Sequence, residues 1–248
     1  MTKVVLVNQT RSVLTDDEVA AVVPVLQTLF DRDFEPVWGT ALAVRVSSIP
    51  TGAEVPIDCW PIYLQDTTDQ PGAGGYHEDQ GLPFGKVFAR DAMEANESWT
   101  VDLTHEFLEM CGDPTTQVLI DLPQMAGFAC LREVGDAVEE DTLGYQIDGV
   151  LVTDWCTPEY FYQKPADGGP IVPRPGTRLA GLTPRGLYDF MGHINAPAPA
   201  LLHGGYLGIR YPDGEWGSVN MFKRDGRQSR RSMRTHGRLN RKAAGSLR

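Results

Sequence analysis

Apolar and polar positions divide this chain into short strands, two helical stretches and long irregular connections. KVVLVNQT, from Lys3, is an apolar, β-branched run and predicts a first strand. DDEVAAVVPVLQTLFDRDF, from Asp16, places apolar residues at helical spacing. Thr15 or Asp16 can cap that helix, Glu18 completes a capping box, and Pro24 kinks or divides it. ALAVRVSSI alternates as a half-buried strand, and IDCWPIYLQD predicts another, interrupted at Pro61. TTDQPGAGGYHEDQGLPFG is dense in Gly, Pro and Asp and predicts loop, followed by a short strand in GKVFARD. A helix is expected from about Ser98 to Cys111, with Gly112 just past its end and Asp113-Pro114 stopping it. YQIDGVLVTDWC predicts strands around an Asp148-Gly149 turn, and GGYLGIRY a last strand or hairpin arm. Between Pro165 and Pro199 the density of Pro and Gly predicts irregular structure. The strands lie close to one another in sequence, so an α+β arrangement is favoured over a doubly wound sheet.

Composition narrows the class. The 248 residues suffice for a real core, and 42% hydrophobic with 22% charged residues is ordinary for a soluble globular chain. No apolar run approaches the roughly 18 residues of a membrane span, so no membrane role is expected. The N-terminus enters a strand directly, without the apolar core and cleavage site of a signal peptide. A cytoplasmic protein, or one packaged from the cytoplasm into a virion, is therefore expected. Cys59, Cys111, Cys130 and Cys156 form no CxxC pair and predict buried free thiols.

Charge is divided unevenly. Residues 221–248 hold 10 Lys and Arg against one acid, Asp225, a balance of +9; the other residues hold 12 against 32, a balance of -20. The expected organisation is a domain over 1–220 and a basic, flexible arm over 221–248. The arm has too few apolar residues to fold alone. It would contact nucleic acid or an acidic protein surface, or else fold back on the acidic body.

The chemistry concentrates in THEFLEM, residues 104–110. His105 and Glu109 stand four apart and share one side of a helix, with Glu106 projecting beside that face. Two such residues can grip a metal while the intervening Glu takes a proton from the water the metal activates. A carboxylate binds Zn²⁺ at about the distance an imidazole does, so Glu109 can stand where a second His is usual. The alternative is an amphipathic helix with both Glu residues in solvent. A third ligand is sought in CLREVGDAVEED. There Glu133 and Asp136 would point to opposite faces of a strand, unless Gly135 allows a turn. His77, in the Gly-rich stretch, and His203, before Gly204-Gly205, are further candidates; His193 and His236 carry no context.

THEFLEMCGDP, then EVGDAVEE, then GVLVTDWCTPEYF resembles a group of bacterial and phage proteins with the pattern S/T-H-E-x-L-E-M-x-x-D-P, E-V-x-D-x-x-E, V-S/T-D-F/W-x-x-P-x-F/Y. That group is similar to zincin-type metallopeptidases, with H-E-x-x-E in place of H-E-x-x-H. The resemblance spans about residues 60–165, including GGYHEDQGLPFGKVF, and extends weakly to Gly204-Gly205. It implies a zincin-like mixed sheet with an active-site helix. It makes His105, Glu106, Glu109, Asp113, Glu133 and Asp136 the positions to watch: Zn²⁺ is the expected cofactor, held by His105, Glu109 and a carboxylate at Glu133 or Asp136, with Glu106 as catalytic base. GKVFA would be the edge strand beside the cleft, where a peptide or protein substrate can add as a strand. Gly135 departs from the pattern, since a Cys often stands there. Two functions follow. One is a zinc-dependent metallopeptidase. The other is a virion or assembly protein that retains the fold without catalysis, working as a homo-oligomer or in virion assembly and using its arm to bind.

Overall fold

A computed structural model describes residues 1–70, 72–162 and 186–221. Their architecture is mixed α+β. β1 (Thr2–Asn8) lies between β2 (Val44–Ile49) and β3 (Trp60–Gln65), parallel to both, with Val4 opposite Val46 and Trp60. β5 (Pro83–Phe88) pairs in parallel with β3, and β4 (Gly75–Asp79) closes the sheet antiparallel to β5, giving the order β2-β1-β3-β5-β4. The strand around GKVF is therefore internal, not at the edge; the edge beside it is β4, in a segment whose Gly, Pro and Asp content predicted loop. Its glycines let the chain approach a neighbouring helix instead of only turning it.

The pleat of β1 sends Val4 and Leu6 into the main core and Val5 and Val7 into a smaller cluster with Cys59 on the opposite face. Helices cover the larger side. α1 (Asp16–Ala21) begins at Thr15, whose side chain and that of Glu18 form the expected capping box. Val22 separates it from α2 (Val23–Thr28), where Pro24 occupies the first turn and needs no helical N–H partner. A π-helical turn, Leu29–Phe34, leads into α3 (Glu35–Trp38), which ends at left-handed Gly39. Phe30, Phe34 and Trp38 point into the core, where Phe34 meets Phe30, Trp38 and Trp155.

After α4 (Ala89–Glu94) comes α5 (Trp99–Gly112), which packs against β4 and β5 on one side. Gly112 is its last residue, not the one beyond. β6 (Leu119–Asp121) and β7 (Ala129–Leu131) join β10 (Tyr206–Arg210) and β11 (Trp216–Asn220) in a second, antiparallel sheet of order β11-β10-β7-β6. β8 (Tyr145–Ile147) and β9 (Val150–Val152) form the expected hairpin, with Asp148 and Gly149 both at positive φ; β9 also packs on α5. A short α6 (Pro158–Tyr162) follows.

Residues 186–199 contain no helix or strand, only a bridge from Asp189 to Cys156. The rest of the Pro/Gly-rich stretch and the basic arm, with His236, lie outside the described residues. Met221, the first residue of the arm as read from charge, still exchanges backbone hydrogen bonds with Gly204 and Gly205, at 2.8 and 2.9 Å. The four cysteines are free and buried, and burial pushes the Cys130 thiol up to about 12. Among the described residues, no helix is long and apolar enough to cross a membrane.

Candidate metal centre

α5 is buried nearly all round, from Val101 to Gly112. Its apolar residues Leu103, Phe107, Leu108 and Met110 enter the core. Its polar ones must be satisfied inside the protein, because a buried polar group without a partner is costly. Thr104 donates to the Thr100 carbonyl at 2.8 Å and accepts from the Thr153 N–H at 2.9 Å, tying the helix to the chain just after β9. At the far end, Arg132 donates to the Gly112 carbonyl at 2.6 Å. Asp113 accepts from the backbone of Thr115 and Val118 and from the Thr115 hydroxyl. Asp113 thus organises the turn that ends the helix.

His105, Glu106 and Glu109 are all 0% exposed, so the solvated-face alternative does not describe this helix. β7 ends at Leu131, and the chain turns at Val134-Gly135 into a 3₁₀ turn, Asp136–Val138. This turn brings Asp136 to His105: His105 Nε2 lies 3.3 Å from Asp136 Oδ1 and 3.1 Å from Glu109 Oε1. Neither ring nitrogen of His105 makes a hydrogen bond of good geometry, although Nε2 is in close contact with both carboxylates. Gly135 completes this wall, its N–H reaching Glu109 Oε1 at 3.4 Å.

β4 supplies a second histidine. His77 is 0% exposed, not in a surface loop. Its Nδ1 lies 3.3 Å from both Glu106 Oε2 and Glu109 Oε2, and its Nε2 lies 3.6 Å from Glu133 Oε2. Glu133 therefore stands with His77 and outside the His105 triangle. Gly75 makes room, since a Cβ there would fall 2.9 Å from Glu106 Oε1 and from the Lys86 carbonyl. His203 is exposed and is not part of the cluster.

Four carboxylates and two imidazoles thus share one buried space. Burial and the neighbouring Glu109 push the Asp136 carboxyl up to about 7, against the opposing pull of His105. Burial alone would lower the His105 pKa, but Glu109, Asp136 and Glu106 raise it well above its ordinary value. Such a cluster needs cations or protons to hold it together. Its donors suit a hard or borderline divalent ion: His105, Glu109 and Asp136 form one group that could hold a metal, and His77, Glu106 and Glu109 another.

A further histidine escaped the sequence. His193 Nδ1 lies 3.1 Å from Asp154 Oδ2 and 3.5 Å from Asp189 Oδ2. These aspartates also accept backbone N–H groups, Asp154 from Trp155 and Met191 and Asp189 from His193 and Ile194. This group pins residues 189–194 to Asp154, two residues past the end of β9. The sequence signal was TDW at residues 153–155, whose Asp has no distant partner visible in one chain.

No protein-family model, curated protein or solved structure matches the chain.

Proposed function

We propose that this protein is a zinc-dependent, metallopeptidase-like hydrolase with a zincin-like fold. One observation carries the reading: His105 Nε2 lies 3.1 Å from Glu109 Oε1 and 3.3 Å from Asp136 Oδ1. Donors bound to one tetrahedral Zn²⁺ at its usual bond lengths stand about 3.3 Å apart. His105 is fully buried, and its Nε2 faces two carboxylate oxygens without a well-formed hydrogen bond to either, as suits a metal ligand. An antiparallel edge strand beside the helix, here β4, supports the zincin-like fold.

A zinc ion there supplies Lewis acidity toward a carbonyl and toward water. Glu106 serves as general base, taking a proton from the attacking water and passing it to the leaving amine. His77 Nδ1, 3.3 Å from Glu106 Oε2, orients that carboxylate. The substrate would be a peptide or protein. The test is elemental analysis with a broad peptide-cleavage assay. Parent protein should hold zinc and cleave, His105→Ala should lose the ion held by His105, and Glu106→Gln should keep that ion but lose cleavage. Unchanged cleavage by verified Glu106→Gln removes Glu106 from the mechanism; full metal in His105→Ala puts the site elsewhere.

One observation favours a second reading, a virion or assembly protein with a structural metal. His77, His105, Glu106 and Glu109 are all 0% exposed, so the centre is closed. Zinc retained without cleavage of any peptide, together with a large drop in melting temperature on chelation, would select this reading.

A further inference from the structure

The two carboxylate oxygens of Glu109 face different histidines. Oε1 belongs to the triangle with His105 Nε2 and Asp136 Oδ1, at 3.1 and 3.3 Å from the imidazole. Oε2 lies 3.3 Å from His77 Nδ1, which is also 3.3 Å from Glu106 Oε2. In both sets the imidazole nitrogen stands 3.1–3.3 Å from two carboxylate oxygens, and all three donors lie within 4.8 Å of one another, close to the spacing of about 3.3 Å that a Zn²⁺-sized ion imposes on its ligands. They are joined through one carboxylate, as in two-ion centres whose metals stand about 3.5–4 Å apart.

We propose that the cluster binds two divalent cations bridged by Glu109, the second held by His77 Nδ1, Glu106 Oε2 and Glu109 Oε2. The inference rests on the first site's being a metal site and extends it. Glu133 has a matching place: its Oε2 lies 3.6 Å from His77 Nε2, an ion-pair contact longer than a hydrogen bond, at the ring nitrogen that does not face the proposed ion. A metal-bound histidine commonly directs its other N–H at a carboxylate, which fixes the ring and strengthens the ligand. Glu133 is accordingly a positioning residue and not a ligand.

Charge points the same way. Glu106, Glu109, Glu133 and Asp136 are all buried and together carry four negative charges when ionised. One divalent cation leaves half of that charge uncompensated in a low-dielectric interior, and two cancel it. Protons are the competing neutralisers, and the metal count distinguishes them. With an ion on its Oε2, Glu106 becomes a ligand instead of a free base, so the same residue separates the one-ion and two-ion centres.

The experiment is titration of full-length, metal-free protein with Co²⁺, read by optical absorption, with Zn²⁺ per chain measured by elemental analysis after gel filtration. Two ions per chain are expected for the parent, and one each for His77→Ala and Glu106→Gln. Glu106→Gln preserves size and serves if His77→Ala fails to fold. A parent protein that saturates at one ion overturns the inference while leaving the single-ion reading standing. Two ions retained in both variants also overturn it, placing the second ion elsewhere. No bound ion at all overturns both readings.

Discussion

Gly135 lies so close to His105 that a Cβ added to it would fall 2.4 Å from Nδ1 and 2.7 Å from Cε1 of the imidazole. The ring occupies the space a side chain at 135 would need. No larger residue can therefore enter position 135 of this chain without moving the candidate ligand.

Gly135→Ala is expected to displace His105, which is fully buried. Metal binding should weaken by about 10-fold or more, and overpacking should cost about 1–3 kcal/mol of stability. Competition against a chelating dye reads the first and urea unfolding the second. Unchanged metal affinity would show that the ring is free to shift and that its present position is not what binds.

Much of this centre was legible in the sequence, because its helix obeys local rules. His105 and Glu109 are spaced for one helix face, the helix ends at Gly112-Asp113, and Gly135 admits the turn that carries Asp136. His77 was legible only as a candidate in an expected loop, not as a buried residue on a strand. Gly74 and Gly75 look like loop glycines, yet an added Cβ would meet Asp102 at the first and Glu106 at the second. A glycine used for close approach reads like a glycine used for turning. The available signal was a hairpin, GYHED and PFGKVF around Gly81, which is at φ 95°. The pairing of His193 with Asp154 spans 39 residues and leaves no periodic trace.

Thr104 offers a test of how α5 is anchored, independent of the metal. Thr104→Val keeps the shape but leaves the buried Thr153 N–H without its acceptor and removes the bond to the Thr100 carbonyl. A loss of about 1–3 kcal/mol is expected, with metal stoichiometry unchanged. Equilibrium denaturation and elemental analysis measure the two. A stability loss below about 0.5 kcal/mol would mean that this contact does not hold the helix in place.

The Asp154 group makes a forecast about pH. Burial raises its carboxyl to about 7, with His193 pulling the other way and Asp189 adding to the rise. An unfolded Asp titrates near about 3.9. Between those values the folded protein holds a proton that the unfolded chain has released, so stability falls as pH rises from about 4 to about 7 and the effect is complete above that. Asp154→Asn cannot ionise, and its Oδ1 can still accept from Trp155 and Met191. Its stability relative to the parent should therefore improve as pH rises through this window. The comparison cancels the titration of the ligand cluster, common to both proteins, and leaves Asp154 with its neighbours Asp189, His193, Cys156 and Tyr145. Parallel pH profiles for the two proteins would show that Asp154 is ionised throughout.

The last prediction concerns the basic arm, and the fold moves its start by one residue. Met221 is paired with Gly204 and Gly205, so the deletion to make is 222–248, which keeps that contact and removes all ten cations of the arm. If the arm binds nucleic acid or an acidic protein surface, its loss should leave the melting temperature of residues 1–221 nearly unchanged at any salt. Binding of double-stranded DNA should fall, and the component lost should be the one that weakens steeply with salt, because neutralised phosphates release condensed counterions. If the arm neutralises the chain's own acidic body, the forecast reverses: truncation lowers stability, most at low ionic strength where screening is least. Melting curves of full-length and truncated protein at low and high salt separate the two, and a large loss confined to low salt would sink the binding-arm reading.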